Sequence, residues 1–303
     1  MRIASLLASA TEMVAALGLE DRLVAISHEC DFPPGVLSRP RVSRPRFDPE
    51  ALNDGEIDTA VRHAMVQHGS PYAVDLERLK TVAPDIILTQ AVCEVCAVPT
   101  SMAEDAARAL GDSVRVLSLD AHSIEDVLAS LTRLGAVLGA PERAARVVEA
   151  LGARIAAVAA AVAGGPRPSV LAVEWLNPPF VPGHWVPEMI QVAGGRNLAG
   201  DAGRPSREAA WEPLSRLDPD VLIVMPCGYG LARSRHAADQ HADALRAVAP
   251  RAVAAGRAWV VDGSAYFNRS GPRIADGVEM LGVMLHPNRV VGVDLRGRAE
   301  RWP

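Results

Sequence analysis

Two stretches of this chain repeat each other in order, and that duplication limits the possible folds more than any other feature of the sequence. A strand-like "RIASLLAS" followed by "EMVAALG" (Glu12 to Gly18) recurs as "SVLAVEWL" followed by "EMIQVAG" (Glu188 to Gly194). Further along, "LERLKTVAPDIILTQ" is answered by "WEPLSRLDPDVLIVMP". In each, a glutamate (Glu77, Glu212) precedes a Pro-Asp pair (Pro84-Asp85, Pro219-Asp220) at the same spacing. A helical pattern stops at the proline, which has no N–H to continue it, and a β-branched strand follows. The repeat predicts an α/β chain of two similar Rossmann-like lobes with a central sheet each. At 303 residues, 49% of them hydrophobic, the chain is long enough to give both lobes a core.

Between the repeats runs "SIEDVLASLTRLGAVLGAPERAARVVEALGARIAAVAAAVAGGP". Ser123 with Asp126 makes a capping-box pattern, and Gly139 with Pro141 ends one helix and begins another. The second helix runs to the Gly164-Gly165-Pro166 stop, roughly 22 residues or about 33 Å at 1.5 Å per residue. It is expected to bridge the lobes as a rod. The boundaries that follow are 1–121 for the first lobe, 122–165 for the helical linker, 166–287 for the second lobe and 288–303 for a tail, read as a short strand or disorder.

Charge and hydropathy exclude other classes. A formal net charge of -5 leaves no electrostatic footprint for nucleic acid, and no apolar run is long enough to span a bilayer. The apolar run from Ile3 to Leu7 is shorter than an export signal needs, and Glu12 follows closely. Four cysteines in a chain of this length make no disulfide framework. Together these features point to a cytoplasmic protein, or a periplasmic one if an export signal precedes this sequence.

In parallel α/β lobes, ligands bind beyond the carboxyl ends of the strands. Those loops are "LASATE", "HECDFPP" and "AVCEVCAVP" in the first lobe, and "EWLNPPFVPGHWVPE", "MPCGYG" and "DGSAYFNRSGPR" in the second. All six are expected to line one cleft. Aromatic residues are only 4% of the chain, yet Trp175, Phe180, Trp185, Tyr229, Tyr266 and Phe267 fall in or beside the second-lobe loops. Rings gathered there suit a large, flat, partly apolar ligand. Polar candidates beside them are Glu174, Asn177, His184, Cys227, Asn268, Arg269 and Arg273. Arg41, Arg44 and Arg46 read as a solvated rim, and His63 and His68 receive no role.

Cys93 and Cys96 share the first-lobe loops with Ser9, Thr11, His28, Glu29, Cys30, Asp31 and Glu94. Four readings stay open for the thiols: a pocket wall or ligand contact, a metal site, a disulfide or redox couple, and plain packing. His28, Cys30, Cys93 and Cys96 have the ligand types of a zinc site. No nucleophile elbow, phosphate-cradling glycine loop or HExxH motif supports catalysis.

The stretches "SLLASATEMVAALGLEDRLVAISHECDFP", "PDIILTQAVCEVCAV", "GHWVPEMIQVAGG" and "DGSAYFNRSGPR" resemble the cobalamin-binding solute-binding proteins of ABC importers. The likeness covers residues 1 to about 285. It implies the class III periplasmic-binding-protein architecture, two α/β lobes joined by one long helix, and non-catalytic binding of cobalamin or a related corrinoid in the cleft between the lobes. The ligand contacts expected on that basis are Ser9, Thr11, His28, Glu29, Cys30, Cys93, Glu94, Cys96, Trp175, His184, Trp185, Cys227, Tyr229, Tyr266, Phe267, Asn268 and Arg269. The resemblance further implies that Glu77 and Glu212 dock against an importer's membrane subunit. The alternatives are a haem, siderophore, zinc or iron receptor using His28, Cys30, Cys93 and Cys96, and an enzyme acting on a bound corrinoid.

Overall fold

The computed structural model describes residues 1–92, 97–111 and 113–303. It divides into two compact units: Met1–Ala121 with Glu125–Glu149 and Ser270–Pro272, and Ala150–Arg269 with His122–Ile124 and Arg273–Pro303. The connecting stretch is therefore not a body of its own.

The first unit contains β1 (Ile3–Ser5), α1 (Ala8–Ala16), β2 (Leu23–Ala25), β3 (Ser43–Pro45), α2 (Asp54–His68), β4 (Tyr72–Val74), α3 (Leu76–Val82), β5 (Ile86–Thr89), α4 (Thr100–Leu110), β6 (Arg115–Ser118) and α5 (Ile124–Val137). Its main sheet is parallel in the order β2-β1-β5-β6, and β3 and β4 pair antiparallel apart from it. Every residue of β1 and β5 is buried, as expected of parallel strands covered on both faces. The following helix α6 (Pro141–Val162) has 22 residues, with proline in the first turn, where a missing N–H costs nothing. Gly135 of α5 lies so close to α6 that a Cβ there would overlap the Cβ of Ala144.

The second unit contains β7 (Ser169–Val173), β8 (Trp175–Leu176), β9 (Pro179–Val181), α7 (Val186–Val192), β10 (Arg196–Asn197), β11 (Arg207–Glu208), α8 (Trp211–Ser215), β12 (Val221–Val224), α9 (Leu231–Gln240), α10 (Ala242–Val248), α11 (Pro250–Ala254), β13 (Ala258–Val261), α12 (Gly263–Tyr266), α13 (Ile274–Leu285) and β14 (Ala299–Arg301). The main sheet runs β10-β7-β12-β13-β14, parallel except for β14. The tail is thus the sheet's edge strand. Trp302 beyond it is buried, donates its indole N–H to Asp239 at 2.9 Å and lies under the Arg246 guanidinium.

The repeat seen in the sequence extends to topology and to individual bonds. In each unit a first strand lies beside the strand that follows its helix, with two further parallel strands on the other side. The aspartate of each Pro-Asp pair accepts a hydrogen bond from the backbone N–H at the start of that first strand. Asp85 takes it from Arg2 at 2.6 Å and Asp220 from Ser169 at 2.7 Å. The residue before each proline, Ala83 or Asp218, has a positive φ, +41° and +37°. Among the described residues His184 is the other non-glycine with a left-handed backbone, at +49°.

Candidate functional site

In the first unit the strand-end loops are held together chiefly by hydroxyl groups. Thr11 Oγ1 lies 3.0 Å and Ser27 Oγ 3.2 Å from Cys30 Sγ, and Ser9 Oγ lies 3.3 Å from Ser270 Oγ. Ser9, Thr11 and Cys30 are all buried, which sets them among packing groups rather than on an open wall. His28 faces other partners: Nδ1 is 2.8 Å from Ser43 Oγ, Nε2 is 3.4 Å from Glu29, and its ring centre is 4.8 Å from that of Tyr72. Arg41, expected only on the rim, donates to the carbonyls of Ser27 and His28 at 2.9 and 2.6 Å and so fixes this loop.

Half of the expected metal set, Cys93 and Cys96, falls outside the described residues, as does Glu94. Among those described no group of three or more His, Cys, Asp and Glu side chains is placed to hold a metal. His28 and Cys30 engage separate partners. Phe32, which the count of second-lobe rings passed over, is 43% exposed on the loop after β2. Its neighbours in sequence, Asp31 and two prolines, gave no apolar pattern to mark it.

In the second unit Trp175 and Tyr229 meet edge to face, with centroids 5.2 Å apart and planes at 61°. Trp175 opens β8 just past β7, and Tyr229 stands on the loop after β12; β7 and β12 are neighbouring parallel strands of one sheet, and both rings lie at their carboxyl ends. The Trp175 indole N–H donates to the Asn177 carbonyl at 3.2 Å, and the Arg233 guanidinium sits 4.1 Å from the Tyr229 ring centre. Phe180 is paired opposite Trp175 across β8 and β9. Cys227, half-buried, donates its backbone N–H to the Glu174 carbonyl at 2.9 Å.

Burial pushes the Glu174 carboxyl up to about 7, although the Ser206 hydroxyl bonds it and favours the charged form. The Ser206 oxygen also accepts from the Gly183 N–H at 3.0 Å, so its own proton is free to point at Glu174. Gly183 is held against the Arg204–Ser206 backbone at a distance no Cβ would permit, and Gly200, at φ +85°, is held likewise against Pro182.

Three of the six rings counted from the sequence are buried, Tyr229 among them at 4% exposure. Phe267 is fully buried, and Trp185 is buried with its indole N–H donating to the Phe267 carbonyl at 2.7 Å. Tyr266 is half-buried, with Arg273 and Arg298 each about 5.5 Å from its ring centre. Arg269 donates to Ser264 Oγ at 3.1 Å, and Asn268 buries its side-chain oxygen without a hydrogen bond. His184 has its ring centre 5.5 Å from that of His122.

Glu77 and Glu212 occupy matching places, each the second residue of a short helix before a buried strand. Both are exposed, 83% and 69% at the side chain, and each pairs with a cation of its own helix, Lys80 or Arg216. A groove of about 710 Å³ in the first unit is lined by Arg46, Phe47, Asn53, His63 and His68 among others. It is a broad surface feature that contains none of the predicted ligand contacts.

The family described as periplasmic binding protein matches residues 3–258. The vitamin B12-binding protein of Vibrio cholerae serotype O1 is 23% identical over 92% of this chain and 87% of its own length. An uncharacterized ABC transporter substrate-binding lipoprotein of Bacillus subtilis is 24% identical over 95% of this chain and 80% of its own. Among solved structures, a periplasmic heme binding protein from Pseudomonas aeruginosa superposes with a TM-score of 0.72 at 25% identity, covering 95% of this chain and 93% of that one. The relatives give the expected cytoplasmic setting no support, one being described as a lipoprotein and another as periplasmic. No helix among the described residues is long and apolar enough to cross a membrane.

Proposed function

The chain belongs to the periplasmic binding protein family, as a substrate-binding protein of the ABC-importer type, and from that premise we propose that its ligand is a corrinoid. The observation that carries this reading is the Trp175–Tyr229 pair at the carboxyl ends of β7 and β12. Trp175, half-buried beyond the carboxyl end of β7 and backed by the buried Tyr229, offers a flat apolar ligand a stacking partner, and the rigid strands beneath keep the ordering cost of binding low. Cys227 and His184 lie on the same set of loops and supply polar or soft contacts. The relative described as vitamin B12-binding supports the corrinoid over other ligands.

The role is binding without turnover. Glu77 and Glu212 are proposed as the contacts to the importer, because each stands exposed in the first turn of an equivalent helix. A second reading, haem, draws on the Pseudomonas structure. Titration of the apoprotein with cobalamin, cobinamide and haem, followed by absorbance and calorimetry, separates the two. Saturable binding of a corrinoid is expected, weakened roughly tenfold, about 1.4 kcal/mol, in Trp175→Ala. Binding of haem alone selects the second reading, and binding of none of the three overturns both.

A further inference from the structure

His122 and His184 approach each other within the second unit, apart from every metal ligand set that the sequence suggested. Their ring centres are 5.5 Å apart with planes inclined by 41°. A first-row metal bound at about 2.0–2.1 Å to an imidazole nitrogen lies about 3.2 Å from the ring centre, so two such rings at about 110–120° around one ion have centres about 5.2–5.5 Å apart. The observed separation falls within that interval. Parallel stacking for its own sake would bring the rings closer and flatter.

His184 is also held in place at a cost. Its φ of +49° lies in the left-handed region, which a residue with a Cβ seldom enters. The backbone there is pinned on both sides: its N–H donates to the Arg204 carbonyl, and its carbonyl accepts from the Gly203 N–H at 2.9 Å. Nδ1 of the same ring is buried and makes no hydrogen bond among the described residues. A strained backbone that delivers an unbonded imidazole nitrogen beside a second imidazole is the arrangement a metal would complete.

We propose that His122 and His184 form a two-imidazole site for a divalent transition-metal ion, the tetrahedral angle that fits their spacing suiting zinc(II), with copper(II) as its spectroscopic probe. No third His, Cys, Asp or Glu among the described residues joins the pair.

The test uses the full-length protein stripped with a chelator and titrated with copper(II) alone, in a second arm with zinc(II), by calorimetry and electron paramagnetic resonance. One equivalent is expected, with hyperfine structure from two nitrogens. Since even outer-sphere partners of a metal ligand are worth roughly 10–100-fold in affinity, loss of a ligand is expected to weaken binding by about 100-fold or more. His184→Asn is the first variant, because asparagine tolerates the left-handed backbone and carries no imidazole. His122→Gln supplies the same reading should the loop variant fail to fold. Binding that survives both substitutions, that disappears with His63→Gln and His68→Gln instead, or that never reaches one equivalent overturns the proposal. The titration contains no tetrapyrrole, so its outcome is independent of the corrinoid reading.

Discussion

Glu174 has a folded-state pKa of about 7 against an ordinary value of 4.5, and burial is the cause. A carboxyl whose pKa rises on folding takes up a proton as the chain folds, so it favours the folded state most below about pH 4.5. That contribution fades as pH rises through about 7, where the charge must be buried. A shift of this size corresponds to about 3 kcal/mol. Glu174→Gln, which can still accept the Ser206 hydroxyl, is expected to flatten the dependence. Urea unfolding of both proteins at pH 5 and pH 8 measures it, and equal slopes in the two would show that Glu174 is not the group responsible. Neither the shift nor the hydroxyl that opposes it was legible in the sequence, since Ser206 is far from Glu174 along the chain. The ring-bearing loops were legible, but which rings pack inward was not. Trp185 and Phe267 are buried by neighbours that only the tertiary fold brings to them.

Among the elements, α3 and the segment after α8 end in the same strained turn, and the two offer a controlled comparison. Ala83 sits at φ +41° directly before Pro84, a place where glycine is at ease and alanine is not. Ala83→Gly is expected to raise stability by roughly 0.5–1 kcal/mol after the greater freedom of glycine in the unfolded chain is counted. Asp218→Gly at the equivalent turn should bring no gain, because the Asp218 carboxylate accepts from the Arg251 N–H at 3.2 Å and pairs with its guanidinium. Chemical denaturation of the two variants decides it; a gain at both turns would mean that the aspartate contacts contribute nothing. The limits of α6 were readable from Pro141 and Gly164, since those residues act on the backbone directly. Strands β8 to β11 have two or three residues each, too few for an alternating pattern to register.

For the molecule as a whole, the duplicated plan was legible because a strand-helix-strand unit with a Pro-Asp start leaves the same mark twice. Its outward-facing consequence is the pair of exposed glutamates. Glu77→Lys with Glu212→Lys is expected to leave ligand affinity unchanged while abolishing uptake through the importer, as measured with labelled ligand in cells; uptake that persists would remove these residues from the docking surface. The tail resisted reading, because nothing in "NRVVGVDLRGRAERWP" states that its last turn reaches back to a sheet. Trp302 is buried there to 1% exposure, and Trp302→Ala is expected to lower stability by about 3–5 kcal/mol in thermal or chemical unfolding. Beyond that loss, β14 covers the open side of β13, where Trp259, Val260 and Val261 would otherwise offer unsatisfied backbone groups to any passing chain. Cutting the polypeptide after residue 297 should therefore convert a well-behaved solution into one that scatters light and grows sheet-rich assemblies by docking copy onto copy at that bared edge.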